Sequence, residues 1–500
     1  MTALFLSLFN LLSLGGSFVY QIFIGVVFGA GVELDSFFAS STVPQFLVLI
    51  FGGSMTFLLV PTFVSSLEKG GKEEIWNVLN NIINPTLFLY TLASGAIFLL
   101  SYPLIHLLNP GLSVEGKLLA SELLRVQCIA MPFQMFSIIV SAAGNALRRY
   151  LTVALSTLAG LGGMLLFTIL AVSPLGVRVL PYGVVTQSVV QAFFLYPLIK
   201  KGFIPKLKPL TPDFVNLYRK LSIAIGGSIY YKTDQFVDRF LVSYLPPGNI
   251  TYLSYASRVL LSLGSIISSG LTTVAFTDLS SMKAKNQSIE YAEVFHKNFF
   301  ALILIVVPLC FLFWLVGFDS LIFFLRRGKF TFEDISAIYV VALGFMGVLV
   351  AGTLGSLSAN CFYAIQDVKT PTIIGTIGYS LGIILKILCF RWLGIIGVAI
   401  ATSVYYGFNL AAQLLLLYWK AGVFRNHEVW KKSLYIVVAS GIAASASKGF
   451  SIVLLTGTEP PLRVVISLFI FIGVYLLLLR KARFREIRLI VEKIGLGARS

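Results

Sequence analysis

Runs of about 20 or more apolar residues recur along the whole 500-residue chain, and a helix of that length crosses ~30 Å of hydrocarbon at ~1.5 Å per residue. Fourteen spans are read, at roughly 3–29, 36–65, 83–106, 119–147, 151–173, 180–199, 221–245, 251–278, 298–318, 335–362, 371–390, 394–419, 433–456 and 461–479. Backbone amides inside a bilayer find partners only within helices or closed barrels. The lipid-out, lumen-in alternation of a barrel strand is missing, which leaves helices. Only 12% of the residues are charged, against about a quarter in a soluble domain, too few to coat a water-facing surface. The expected fold class is therefore an all-α polytopic membrane protein.

The net charge of +17 is explained by where the charges fall. With a cytoplasmic N-terminus, the inner loops and tail carry 25 Lys and Arg, the outer loops 7, and the spans 6. Lys200, Lys201, Lys206, Lys208, Arg219 and Lys220 follow span 6, and Arg480 to Arg499 follow span 14. This asymmetry predicts an inner-membrane protein with both termini cytoplasmic. The surplus serves topology and attraction to anionic membrane lipids, and calls for no nucleic-acid partner. The first run lacks a basic leader and a small-residue cleavage site, so it is expected to be a retained helix. Cys128, Cys310, Cys361 and Cys389 fall inside spans without metal-ligand spacing. They are expected as buried thiols, with no metal and no cofactor.

The longest polar stretch, Lys200 to Lys220, reads as a cytoplasmic amphipathic linker at 201–220. It divides an N-terminal six-helix lobe (1–200) from a C-terminal one (221–420). Two extra helices (430–480) and a basic tail (481–500) follow. Gly31 and Gly248, Asn145 and Asn360, and Gly183-Val184 and Gly397-Val398 lie 214–217 residues apart. Both halves begin inside, so the repeat is parallel, as in transporters that rock two bundles about a midplane site.

Three segments carry a resemblance: FGAGVELDSFFASSTVPQF (Phe28 to Phe46), RGKFTFED (Arg327 to Asp334) and FYAIQDVKTP (Phe362 to Pro371). With fourteen spans, the chain resembles the MurJ/MviN family of lipid II flippases, within the multidrug/oligosaccharidyl-lipid/polysaccharide exporter superfamily. The resemblance implies arginines on helices 1, 2 and 8 that meet a pyrophosphate in a central cavity. Here the helix 1 positions are Tyr20-Gln21, the helix 2 positions are Val48-Leu49, and Arg258 alone keeps its guanidinium. The last two helices are expected to form a groove for a lipid tail. Small residues from Ala439 to Ala446 would let the tail lie close to the backbone. Sodium-binding relatives imply a cation site at Asp238, Gly382, Lys386, Val398 and Thr402. An ammonium at Lys386 would then take the ion's place, tethered to Asp238. The alternative is a Lys386 that snorkels toward lipid.

Ionisable groups within spans are costly and so line cavities or meet partners. At 100° per residue, Lys232, Gln235 and Arg239 of span 7 share one face, and Asp234 and Asp238 another. Either an internal salt-bridge network or contact with cargo accounts for them. Glu122 and Arg125 read as a local pair. Arg258 is the leading candidate for an anionic head group, because its planar fork matches phosphate oxygens. Tyr20 and Gln21 would add polar lining.

The expected function is a flippase for a polyprenyl-diphosphate-linked saccharide, such as lipid II, working by alternating access as a monomer. A cation-coupled drug or metabolite exporter is the second reading. A membrane glycosyltransferase or ligase is the third, disfavoured because the outer loops offer only Asp319, Glu333 and Asp334, with no metal-ligand cluster.

Overall fold

The computed structural model describes residues 2–206, 212–226, 229–284, 288–421, 428–454 and 458–482. Among them there is no strand, and ten helices are long and apolar enough to cross a membrane. Two of these, Tyr150–Ile199 and Lys369–Lys420, run 50 and 52 residues, more than twice what one crossing of ~20 residues needs. Each turns back at a left-handed glycine, Gly176 (φ 55°) and Gly394 (φ 57°), so each is a pair of crossings. Residues 483–500 of the basic tail and 207–211 of the linker lie outside the described residues.

Contacts divide the chain into two compact units, 1–251 and 252–500. The first contains α1 (Thr2–Phe28), α2 (Val32–Leu99), α3 (Ser101–Leu108), α4 (Val114–Cys128), α5 (Ala130–Ala146), α6 (Tyr150–Leu175), α7 (Val179–Ile199), α8 (Pro212–Gly226), α9 (Ile229–Lys232), α10 (Asp234–Val242) and the start of α11 (Asn249–Ala284). α2 spans 68 residues with a break at Gly71 (φ 67°). The segment between spans 2 and 3 is therefore helical, where the sequence suggested a loop. Ile75, Val78 and Leu79 explain this, because they bury in the core of the first unit with Phe63, Ile82, Leu124, Met135 and Ile139.

Span 7 also departs from expectation. It is broken between α9 and α10 at Thr233, whose hydroxyl donates to Tyr230 O at 2.6 Å. Lys232 closes α9, so it no longer shares one continuous helix face with Gln235 and Arg239. On α10, Asp234 lies in the first turn and Arg239 in the last, each at the end where the helix dipole favours its charge.

The second unit holds the rest of α11 with α12 (Ser288–Leu325), α13 (Phe332–Gly344), α14 (Met346–Ala364), α15 (Lys369–Ala421), α16 (Glu428–Leu454) and α17 (Pro460–Lys481). Its core joins Phe295, Phe299, Leu357 and Phe362 to Ala439, Ala443, Ala444, Phe471 and Tyr475. Much of the small-residue stripe of α16 is thus consumed by helix packing. Ser445 and Ala446 stay exposed.

The backbone reveals the repeat directly. Among the described residues, six of the seven left-handed positions recur in pairs: Gly29 and Gly248, Arg148 and Gln366, Gly176 and Gly394. The last two pairs are each 218 residues apart and the first 219. The repeat is real, but its register is 218, so Gly183 matches Ala401 and not Gly397. In the same register, Gly160 of α6 lies against Gln191, and Gly378 of α15 lies against Asn409.

Candidate functional site

In the first unit the polar groups gather where α1 meets α2. Asp35, 2% exposed, accepts three hydrogen bonds, from Gly248 N (2.6 Å), Thr251 N (2.7 Å) and Thr251 Oγ1 (2.6 Å). Its carboxylate therefore holds the amide just before α11 and one in its first turn, where the helix dipole favours negative charge. Arg239 contributes from α10. Its Cζ lies 5.9 Å from the centroid of the buried Phe38 ring, and its charge acts on Asp35. Beside them, Gly111 N donates to Ser243 Oγ at 3.1 Å. A Cβ at Gly111 would strike the Ser243–Tyr244 backbone. Asp35 sits inside a quoted motif, yet nothing local marks it as more than a helix-start acid. Its partners lie 213 and 216 residues away.

At the opposite end, Asn80 brackets the chain after α7, donating to Gly202 O at 2.7 Å and accepting from Ile204 N at 2.9 Å. Asn84 donates to Ile204 O at 2.8 Å. The start of the linker is thereby fixed to α2.

Of the other expected site residues, Tyr20 is buried in α1 and Gln21 half-buried beside it. Gln235 buries its amide nitrogen without a hydrogen-bond acceptor. Lys232, Asp234 and Asp238 are half-buried on α9 and α10. Glu122 pairs with Arg178 in two bonds of 2.7 and 3.1 Å, and not with Arg125 as spacing suggested. Arg125 instead donates to Ser101 Oγ at 2.9 Å and covers the Phe98 ring.

In the second unit Arg258 is half-buried on α11. Lys386 is 0% exposed, its Nζ 5.5 Å from the Tyr405 ring centroid. That burial rules out snorkelling. Thr402 is buried and donates back to Val398 O at 2.8 Å.

Two motifs prove architectural. Thr331 and Asp334 form a capping box at the start of α13, and Tyr252 OH donates to Asp334 Oδ1 at 2.5 Å. Asp367 accepts from Thr370 N (3.0 Å), Thr370 Oγ1 (2.7 Å) and Lys420 Nζ (2.6 Å). These contacts, the Lys420 ammonium first, hold its carboxyl down at about 2. Among the described residues no group of three or more His, Cys, Asp and Glu could hold a metal.

A sequence-family profile described as "Lipid II flippase MurJ" matches residues 24–468. A "Probable lipid II flippase MurJ" of Vibrio cholerae is 24% identical over 86% of this chain and 84% of its own length. One from Thermotoga maritima is 24% identical over 95% of each. A solved structure described as "Lipid II flippase MurJ, inward closed conformation" superposes with a TM-score of 0.81 at 22% identity, covering 98% of this chain and all of its own. An inward-facing multidrug resistance transporter of the MATE family matches less well, with a TM-score of 0.64 at 14% identity over 84% of this chain and 94% of its own. The match over nearly the whole length, and the better agreement with the flippase fold, place the chain in the MurJ family of lipid II flippases.

Proposed function

We propose that this protein carries lipid II, or a closely related polyprenyl-diphosphate saccharide, across the bacterial inner membrane by alternating access. It acts as a transporter and not as an enzyme. The observation that carries this reading is the family match over residues 24–468 together with a flippase fold across 98% of the chain. The substrate has a charged head that cannot cross oil unaided and a tail that need not leave it. Arg258 is the residue for the diphosphate, because a guanidinium binds two phosphate oxygens at once. Lys232, Gln235 and Arg239 of the first unit are further candidate contacts for the head, with Tyr20 and Gln21 as neutral candidates. The unmet donor of Gln235 favours this role. The tail lies along the exposed side of α16 and α17, beside Ser445 and Ala446.

Both termini are cytoplasmic in this reading, from the loop asymmetry. Six-helix lobes then occupy 1–200 and 221–420, with the linker and basic tail against anionic lipid on the inner side and the protein working as a monomer. The Asp35 bonds latch the outer side, so they must break for the head to leave.

The test is flipping of fluorescent lipid II in vesicles containing the purified protein. Arg258→Lys keeps the charge but loses the fork and slows flipping. Arg258→Ala abolishes it at unchanged protein level. Normal flipping by Arg258→Ala rules out the assigned role, and no flipping by the unmodified protein rules out the function.

A further inference from the structure

The two halves treat one helix seam differently. In the 218-residue register fixed by Gly176 and Gly394, α13 and the second crossing of α15 correspond to α4 and α7, and each pair packs together. Between α4 and α7, Glu122 and Arg178 close the seam with bonds of 2.7 and 3.1 Å. Their counterparts are Val340 and Ile396, and Arg125 becomes Leu343. These side chains form no ion pair, and the seam stays open. A groove of about 480 Å³ runs along it, lined by Val340, Leu343, Ile396, Ile400 and Val404 with Gly344 and Ser403. The hydroxyl of Ser403 is satisfied internally, donating to Gly344 O at 2.6 Å. Gly344 and Gly347 hold the two backbones so close that an added Cβ would strike Ala399 or Ser403.

Both helices belong to membrane-crossing stretches, Phe332–Ala364 and Lys369–Lys420. Val340, Ile400 and Val404 are exposed, so the groove opens on hydrocarbon. From Ile396 to Val404 it descends ~12 Å at ~1.5 Å per residue. One leaflet, half of a ~30 Å core, is ~15 Å deep. The shallow end of the groove is the Gly394 turn, which carries Arg391 and Trp392, both exposed and Trp392 87% so. The first half has Ser173 and Pro174 at these positions. The second half therefore lacks charge inside the seam and carries a cation and an aromatic ring at its rim. Tryptophan sits at headgroup level in membrane proteins, and a guanidinium pairs with phosphate oxygens. That combination fits an amphiphile with an anionic head and a thin apolar tail. A helix of another protein, about 10 Å across, would bridge the rim without filling the seam.

We propose that this groove binds one acyl chain of an anionic phospholipid, whose phosphate is held by Arg391 beside Trp392. The chain fills the seam that Glu122 and Arg178 close in the first half. This lipid is a resident of the second unit and not the cargo, so the site is independent of what the protein transports.

The test uses the full-length protein in phosphatidylcholine vesicles with a trace of phosphatidylglycerol carrying a photoactivatable diazirine in one acyl chain. Cross-linked peptides are mapped by mass spectrometry. Groove peptides of α13 and of the second crossing of α15 should be labelled about 5-fold more by this probe than by phosphatidylcholine with the same chain. That ratio is the equivalent of about 1 kcal/mol for one basic residue at the membrane surface. Arg391→Gln should erase the preference. Ile400→Trp fills the groove, and Val340→Glu with Ile396→Arg rebuilds the ion pair of the first half. Each should remove the groove label from both lipids while the protein still melts cooperatively. Equal labelling by the two lipids in the unmodified protein overturns the proposal, as does a groove label that survives both fillings. A polyprenyl-phosphate probe that labels the groove better than phosphatidylglycerol makes it a cargo site, and disulfide-linked dimers through Val404→Cys place a second copy there; either result also overturns it. The comparison of the two lipids needs no variant, so it decides the matter even where a substitution prevents folding.

Discussion

Asp35→Asn tests the latch most directly. The carboxylate receives two backbone N–H donors and the Thr251 hydroxyl, all buried. Backbone N–H groups can only donate, so the ionised form fits all three partners. An amide keeps one acceptor oxygen and turns its NH2 toward a donor. One charge-assisted bond, worth about 1.5–3 kcal/mol, is lost, and the others become neutral bonds of about 0.5–1.5 kcal/mol. Taking only about 2 kcal/mol of this as a lower bound, the closed-to-open ratio falls at least roughly 30-fold at 1.4 kcal/mol per tenfold. The assay is maleimide labelling of Ser243→Cys, whose rate follows the open fraction while opening is rare. Asp35→Asn should raise that rate at least ~10-fold, and Asp35→Ala, which strands three buried donors, should raise it further. An unchanged labelling rate in both variants refutes the latch.

Three other predictions follow from single contacts. Gly382→Asn drives a side chain into the Tyr405 ring and should destabilise the protein by about 1–3 kcal/mol, read as a lower melting midpoint. The Asp367 carboxyl is held at about 2, below its ordinary 3.8, so its contribution is complete above pH ~4 and disappears as pH falls toward 2. Lys420→Met should therefore cost less than about 1 kcal/mol at this partly exposed pair, equally from pH 5 to 8, with the difference from the parent vanishing near pH 2. Single cysteines at Ser113 and Thr458 should label from outside and at Ser288 from inside, and the opposite pattern would invert the topology.

The sequence alone determined that this chain is a helical membrane protein, and the reason is local. A hydrocarbon layer demands runs of apolar residues, and such runs are written in consecutive residues. The motifs around Asp334 and Asp367 were legible for the same reason, since their caps close within three residues. What the tertiary structure decided involves partners far apart in sequence. Glu122 chose Arg178 over Arg125 because packing brought the more distant guanidinium into bidentate reach. Nothing in the neighbouring residues distinguishes Asp35, whose partners lie 213 and 216 residues further on. The small residues of α16 looked available to a lipid tail, but α12 and α17 cover much of them. The repeat was visible as paired glycines, yet only backbone dihedrals fixed its register, because left-handed turns mark equivalent positions where residue identity has drifted. Arg148 and Gln366 share that geometry without sharing chemistry. Lys386 shows the same division: the sequence places a charge in a span, and only the packing of Tyr405 over Gly382 seals it from lipid.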